Sequence, residues 1–103
     1  MQVAVIADIH SNLPALEAVL EEVGHLPIYC AGDVVGYNPF PNEVIALLKE
    51  RRAVSILGNH DHAVISGDTS WFNPIAAAAI EWTAGELTPG SRDYLRTLPK
   101  TYE

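Results

Sequence analysis

Gln2-Val3-Ala4-Val5-Ile6-Ala7-Asp8-Ile9-His10-Ser11-Asn12-Leu13-Pro14 decides the fold class. From Gln2 to Asp8 the residues are β-branched or small and mostly apolar, with no polar alternation, which predicts a strand covered on both faces. The polar exit from Asp8 to Asn12 predicts a loop. Pro14 then opens a helix at a position where a missing N–H does no harm, and Leu16, Val19, Leu20 and Val23 fall on one stripe. Gly24 is placed to end that helix.

The alternation continues outward from this unit. Pro27 to Ala31 is a second short apolar run, followed by Gly32-Asp33 and a loop through Tyr37-Asn38-Pro39-Phe40. Pro41 sits in the first turn of a second predicted helix, Glu43 suits its positive end, and Val44, Ile45, Leu47 and Leu48 supply its apolar face. Ala53 to Leu57 is a third strand, closing on Gly58. Strand, helix, strand, helix, strand with connections of helical length implies parallel pairing through right-handed crossovers.

Beyond Ala63 the pattern predicts a loop around Ser66-Gly67-Asp68 and then a long helix from Asn73-Pro74 to about Leu87. Thr88-Pro89-Gly90 breaks that helix, and Ser91 caps a short one that Leu98-Pro99 ends. Thr101-Tyr102-Glu103 reads as the start of a further strand.

At 103 residues, nearly half of them apolar, the chain has the length of one domain with a modest core, read as a single domain over 1–103. The 13 acidic and 6 basic residues give a net charge of −7, which argues against a sequence-independent hold on nucleic acid. The one basic cluster, Lys49, Arg51 and Arg52, falls at the end of a predicted helix, where cations meet the negative dipole end. The lone Cys30 lies in an apolar run and is read as core; with no second cysteine there is neither a disulfide nor a thiolate metal site. No segment has the length of a signal core or membrane span, so the expectation is a cytoplasmic protein.

Three polar clusters stand at the ends of the three predicted strands: Asp8-Ile9-His10, Gly32-Asp33 and Gly58-Asn59-His60-Asp61. Ligand sites in open parallel sheets lie beyond the carboxyl ends of the strands. The three clusters therefore converge on one edge, where their oxygen and imidazole donors could hold a pair of divalent ions. Such a pair needs a bridging ligand and others that serve one ion each. In this arrangement Asp33 bridges, Asp8 and His10 bind the first ion, and the Asn59 side-chain oxygen binds the second. Gly32 and Gly58 let the backbone turn and approach closely. Oxygen and imidazole without thiolate suits manganese, iron, zinc or cobalt.

With these motifs in view the chain resembles the calcineurin-like metallophosphoesterases. The matching residues are Asp8-Ile9-His10, Gly32-Asp33-Val34-Val35-Gly36 and Gly58-Asn59-His60-Asp61. Tyr37-Asn38-Pro39-Phe40-Pro41-Asn42-Glu43 further resembles the small bacterial and archaeal branch of predicted phosphoesterases. The resemblance implies a two-metal hydrolase of phosphate mono- or diesters, in which a water or hydroxide between the ions attacks phosphorus in line. It implies His60 near the leaving group, stabilising charge or donating a proton, and Asp61 behind it, orienting His60 or another ligand.

The family builds a sandwich of two packed sheets flanked by helices, and its later half adds histidines, including a Gly-His-x-His cluster. No histidine follows His62 here. The expected fold is thus α/β: a parallel βαβαβ half of an αββα sandwich followed by helices, the second sheet largely missing, and the amino-terminal part of a larger domain. Activity would then require ligands beyond residue 103.

His25 follows a helix-ending glycine and is read as a surface residue. His62 is expected to face solvent or a neighbouring carboxylate. Trp71, Phe72 and Trp82 could line a cleft, but beside an Ala-rich helix packing is the expected role. Two other functions stay open: a non-catalytic metal- or phosphate-binding module or truncated relic, and an interaction module that pairs with another chain or a separate second half. The expected partners are a phosphate-ester substrate, with no nucleic acid and no membrane.

Overall fold

The protein was analysed as a computed structural model, which describes residues 2–101. Three strands, β1 (Ala4–Ile6), β2 (Ile28–Cys30) and β3 (Val54–Ser55), form one parallel sheet in the order β1-β2-β3. They are linked by α1 (Leu13–Val23) and α2 (Pro41–Glu50), as the alternation predicts. Then follow α3 (Asn59–Ser66), α4 (Pro74–Glu86) and α5 (Pro89–Thr97). Among the described residues no helix is long and apolar enough to cross a membrane.

Local chemistry sets the helix ends. The Asn12 side chain accepts from the Ala15 N–H at 3.2 Å, and the Asn73 side chain from Ala76 at 2.9 Å, so α1 and α4 start on side-chain caps. Gly24 ends α1 as expected, at φ 63°. The cap of α5 is Thr88, not Ser91: its hydroxyl accepts from the Ser91 N–H, and Pro89 takes the first helical position. The helix α3 was not anticipated. Its sequence carries little apolar periodicity, and Gly58-Asn59 reads locally as a turn. What starts it is Asp61, whose carboxylate accepts from the Gly58 N–H at 3.0 Å, the acidic half of a capping box.

The core lies on one side of the sheet. Ala4, Ile6, Ile28, Cys30 and Ser55 share a face by register, and against it pack Leu16 and Leu20 of α1 and Val44, Ile45 and Leu48 of α2. Ala63, Val64, Ile80 and Leu95 of the later helices complete the cluster. Cys30 is buried and free, as expected.

Two expectations need correction. Val19 is 42% exposed and lies off the buried stripe of α1, which consists of Leu16 and Leu20. The second face of the sheet is covered unevenly among the described residues: Val5, Tyr29 and Val54 form a cross-strand row there, Val5 71% exposed and Tyr29 and Val54 half-buried. An unbroken apolar run is compatible with burial of both faces but does not show what covers each. The expected strand at Thr101-Tyr102-Glu103 falls mostly outside the described residues; Thr101 itself is not in a strand.

Candidate metal centre at the strand ends

All three polar clusters emerge at the carboxyl edge of the sheet, and the backbone there is unusual. Asp8, His10, Ser11, Asp33 and Tyr37 all have left-handed φ values, from 48° to 62°. Each such non-glycine residue costs on the order of 1 kcal/mol, so the surrounding contacts must hold it there. They do. The Asp8 N–H donates to the Gly32 carbonyl at 3.2 Å, His10 to the Asp33 carbonyl at 3.0 Å, and Ser11 to the Val34 carbonyl at 2.9 Å. The first loop is thus stitched to the second, residue by residue. Asn38 closes the seam from its side chain, donating to the His10 carbonyl at 2.9 Å.

Two glycines let the second and third loops meet. A Cβ on Gly58 would sit 2.2 Å from the Asp33 nitrogen and 2.3 Å from its Oδ1. A Cβ on Gly32 would sit 2.8 Å from the Gly58 backbone. Gly58→Ala, although its φ of −85° suits any residue, must therefore push Asp33 away. We expect that variant to fold less stably and to lose metal affinity by at least about tenfold, measurable by calorimetric titration. Unchanged affinity would show that Asp33 does not depend on this approach.

The side chains converge accordingly. Ligand atoms of His10, Asp33 and His60 all lie within 4.8 Å of one another. His10 Nδ1 lies 3.1 Å from the Val35 carbonyl, which can only accept; a proton on Nδ1 there leaves Nε2 as the ring atom placed to bind a metal. That Nε2 lies 3.6 Å from Asp8 Oδ1. Asp33 Oδ1 accepts from the His60 N–H at 3.0 Å and lies 3.4 Å from His60 Nδ1. Among the described residues both ring nitrogens of His60 are buried without a hydrogen-bond partner. Two orphaned nitrogens beside a carboxylate and a second imidazole are the donor set a cation would satisfy, so the residues present fit a divalent metal.

Asn59 is exposed at the first turn of α3, on the wall of an adjoining cleft. Asp61 is fully buried, and its carboxylate braces two loops: Oδ1 accepts from the Val35 N–H and Oδ2 from the Gly58 N–H, each at 3.0 Å. Burial raises its pKa, and the bonds from Val35, Gly58 and Val34 oppose the rise. Burial likewise raises the Cys30 thiol. His25 and His62 are exposed, and His62 adds a small lowering of the pKa of Asp68 behind that of Ser70.

Sequence reasoning gave no role to Tyr37, yet its ring lies 5.1 Å from that of His10 and 5.0 Å from that of His60. The one signal was an aromatic directly after Gly36. Phe72 packs as expected and does so on the site itself, its ring 5.0 Å from that of His60. Trp71 does not pack: it is 91% exposed.

The sequence matches the family model for calcineurin-like phosphoesterases over residues 1–101. The chain belongs to the calcineurin-like phosphoesterases. This calcineurin-like chain is 41% identical over 105 residues to an uncharacterized protein of Methanocaldococcus jannaschii, covering 98% of this chain and 43% of that protein. It superposes on a metallophosphoesterase of Sphaerobacter thermophilus with a TM-score of 0.79 at 43% identity, covering 96% of this chain and 42% of the other. A candidate diadenosine tetraphosphatase, 24% identical with a TM-score of 0.72, shares the fold over 95% of this chain and 48% of its own. The chain thus spans less than half the length of these relatives, and its sheet and helices match the amino-terminal half of a metallophosphoesterase.

Proposed function

We propose that this chain carries the ion-holding part of a two-metal phosphoester hydrolase. The observation that carries the reading is the meeting of the strand-end clusters at one edge of the sheet, His10 Nε2 lying 3.6 Å from Asp8 Oδ1 and ligand atoms of Asp33 and His60 grouped with those of His10. Asp8, His10 Nε2, Asp33 and the Asn59 side-chain oxygen would hold the ions, Asp33 serving both. Bound divalent ions would supply activated water and positive charge against the phosphate oxygens. His60 stands beside the leaving group and gives it a proton or stabilises its charge. Its Nδ1 lies 3.4 Å from Asp33 Oδ1, which helps to orient the ring. Asp61 fixes the loops that present Asp33 and His60.

The rest of the site comes from protein that packs beside Val5, either chain beyond Glu103 or a separate partner. The 71% exposure of this strand residue supports the reading, since burial of such apolar surface is worth about 25 cal/mol per Å². On this reading the protein works as the amino-terminal part of a larger domain in the cytoplasm, on a phosphate mono- or diester. The ions are drawn from manganese, iron, zinc and cobalt.

The test combines hydrolysis with metal binding. Assays of p-nitrophenyl phosphate and bis(p-nitrophenyl) phosphate with Mn²⁺ should give weak or no turnover for this chain alone. Full activity, lost in His60→Ala, would overturn the need for further ligands. Excess Mn²⁺ should raise the melting temperature relative to chelator, because an ion that binds only the folded state stabilises it by mass action. Identical melting curves would count against a metal site.

A second reading is favoured by the tight grouping of His10, Asp33 and His60: one ion held by those three residues in a module without turnover. Calorimetric stoichiometry separates the two, a single weak site supporting the module.

A further inference from the structure

A cleft of about 600 Å³ adjoins the group of His10, Asp33 and His60, lined by Gly58, Asn59, His62, Trp71, Phe72 and Lys100 among others. Two features join it to the site. Gly58 and Asn59 belong to the third strand-end cluster, and Phe72 is a shared wall, lining the cleft while its ring packs on that of His60. Trp71 stands at the cleft almost wholly in water, at 91% exposure the highest of the exposed large apolar side chains among the described residues.

The segment that displays Trp71 is braced from within. Ser70 donates to the Asp68 carboxylate from its N–H at 3.0 Å and its hydroxyl at 2.7 Å, and the Phe72 N–H donates to the Thr69 carbonyl at 3.0 Å. Gly67 ends α3 before it and Asn73 caps α4 after it. A large ring held out to solvent on such a segment gives up its burial energy and leaves its faces open to stacking, on a backbone that is already ordered. The polar lining from Asn59, His62, Asp68 and Lys100 suits a small ligand with heteroatoms better than an apolar protein segment.

We infer that this cleft receives the organic part of the phosphoester and that Trp71 stacks on a planar aromatic group there, so that aryl-type esters are preferred to alkyl ones. The inference rests on the phosphoester reading above. Trp71 is a specificity-determining residue in it, and Lys100 offers the cleft a cation in a chain of net charge −7.

Calorimetric titration of the Zn²⁺-loaded chain with phenylphosphonate and with methylphosphonate tests this, since the two share one anionic head and differ in the ring. The wild type should bind phenylphosphonate about tenfold more tightly. Trp71→Ala should bring that ratio close to one, Trp71→Phe should keep most of it, and Trp82→Ala, away from the cleft, should leave it unchanged. Equal affinities in the wild type, or a preference that survives Trp71→Ala, overturn the inference while the phosphoester reading stands. If the chain binds Zn²⁺ but neither phosphonate, the inference falls while the phosphoester reading is left to the hydrolysis assay; if it binds no Zn²⁺, the phosphoester reading falls and the inference with it.

Discussion

Replacing Asp33 by asparagine is expected to lower divalent-metal affinity by at least about 100-fold while leaving the fold intact, a larger loss than removing a supporting outer residue produces. Asn is the informative choice at this position. The backbone of Asp33 is left-handed, with φ 55°, a conformation that Asn tolerates and Ala does not. Asn also keeps an oxygen for the His60 N–H, which Asp33 Oδ1 accepts at 3.0 Å. What disappears is the negative charge at the centre of the group formed with His10 and His60. Calorimetric titration with Zn²⁺ or Mn²⁺ reads the affinity, and a urea midpoint reads the fold. Wild-type affinity in Asp33→Asn would remove Asp33 from the ligand set.

The second large effect is on stability, and it belongs to Asp61. This residue is fully buried and satisfies the N–H groups of Val35 and Gly58 at once. Asp61→Ala leaves both donors without partners, Val35 buried and Gly58 partly so, at about 1–3 kcal/mol each, so a loss of roughly 2–6 kcal/mol follows. That is a large share of the total of about 5–15 kcal/mol typical of a small domain. Asp61→Asn should fall between the two, because its amide offers one acceptor where the carboxylate offers two. Urea denaturation at neutral pH measures both. A loss below about 1 kcal/mol in Asp61→Ala would show that the two loops do not depend on this brace.

Much of the fold could be read from the chain because its signals were local. Apolar runs of strand length, Pro14, Pro41 and Pro74 in first helical turns, and Gly24 at a helix end each act within a few residues. The site was legible for a different reason: parallel topology forces strand ends to one edge, so Asp8, His10, Asp33 and His60 could be placed together before any distance was known. What escaped was set by tertiary contact. The helix α3 depends on a carboxylate that also serves a loop more than twenty residues away, at Val35. The Tyr37 ring finds its histidines only because the loop at Gly36 turns left-handed, at φ 101°. The exposure of Val5 and of Trp71 could not be read from residue type, since hydrophobicity says what burial would gain and not whether a partner is present.

The exposed Val5 bears on metal binding through linkage. It stands just before Asp8, where β1 runs into the first ligand-bearing loop. On the proposed function, a layer that covered Val5 would damp the strand from which that loop springs, and an ion tying the loops together would steady the strand for the layer. Linkage would make the two effects equal: whatever factor the layer added to metal affinity, the metal would add to the affinity of the layer.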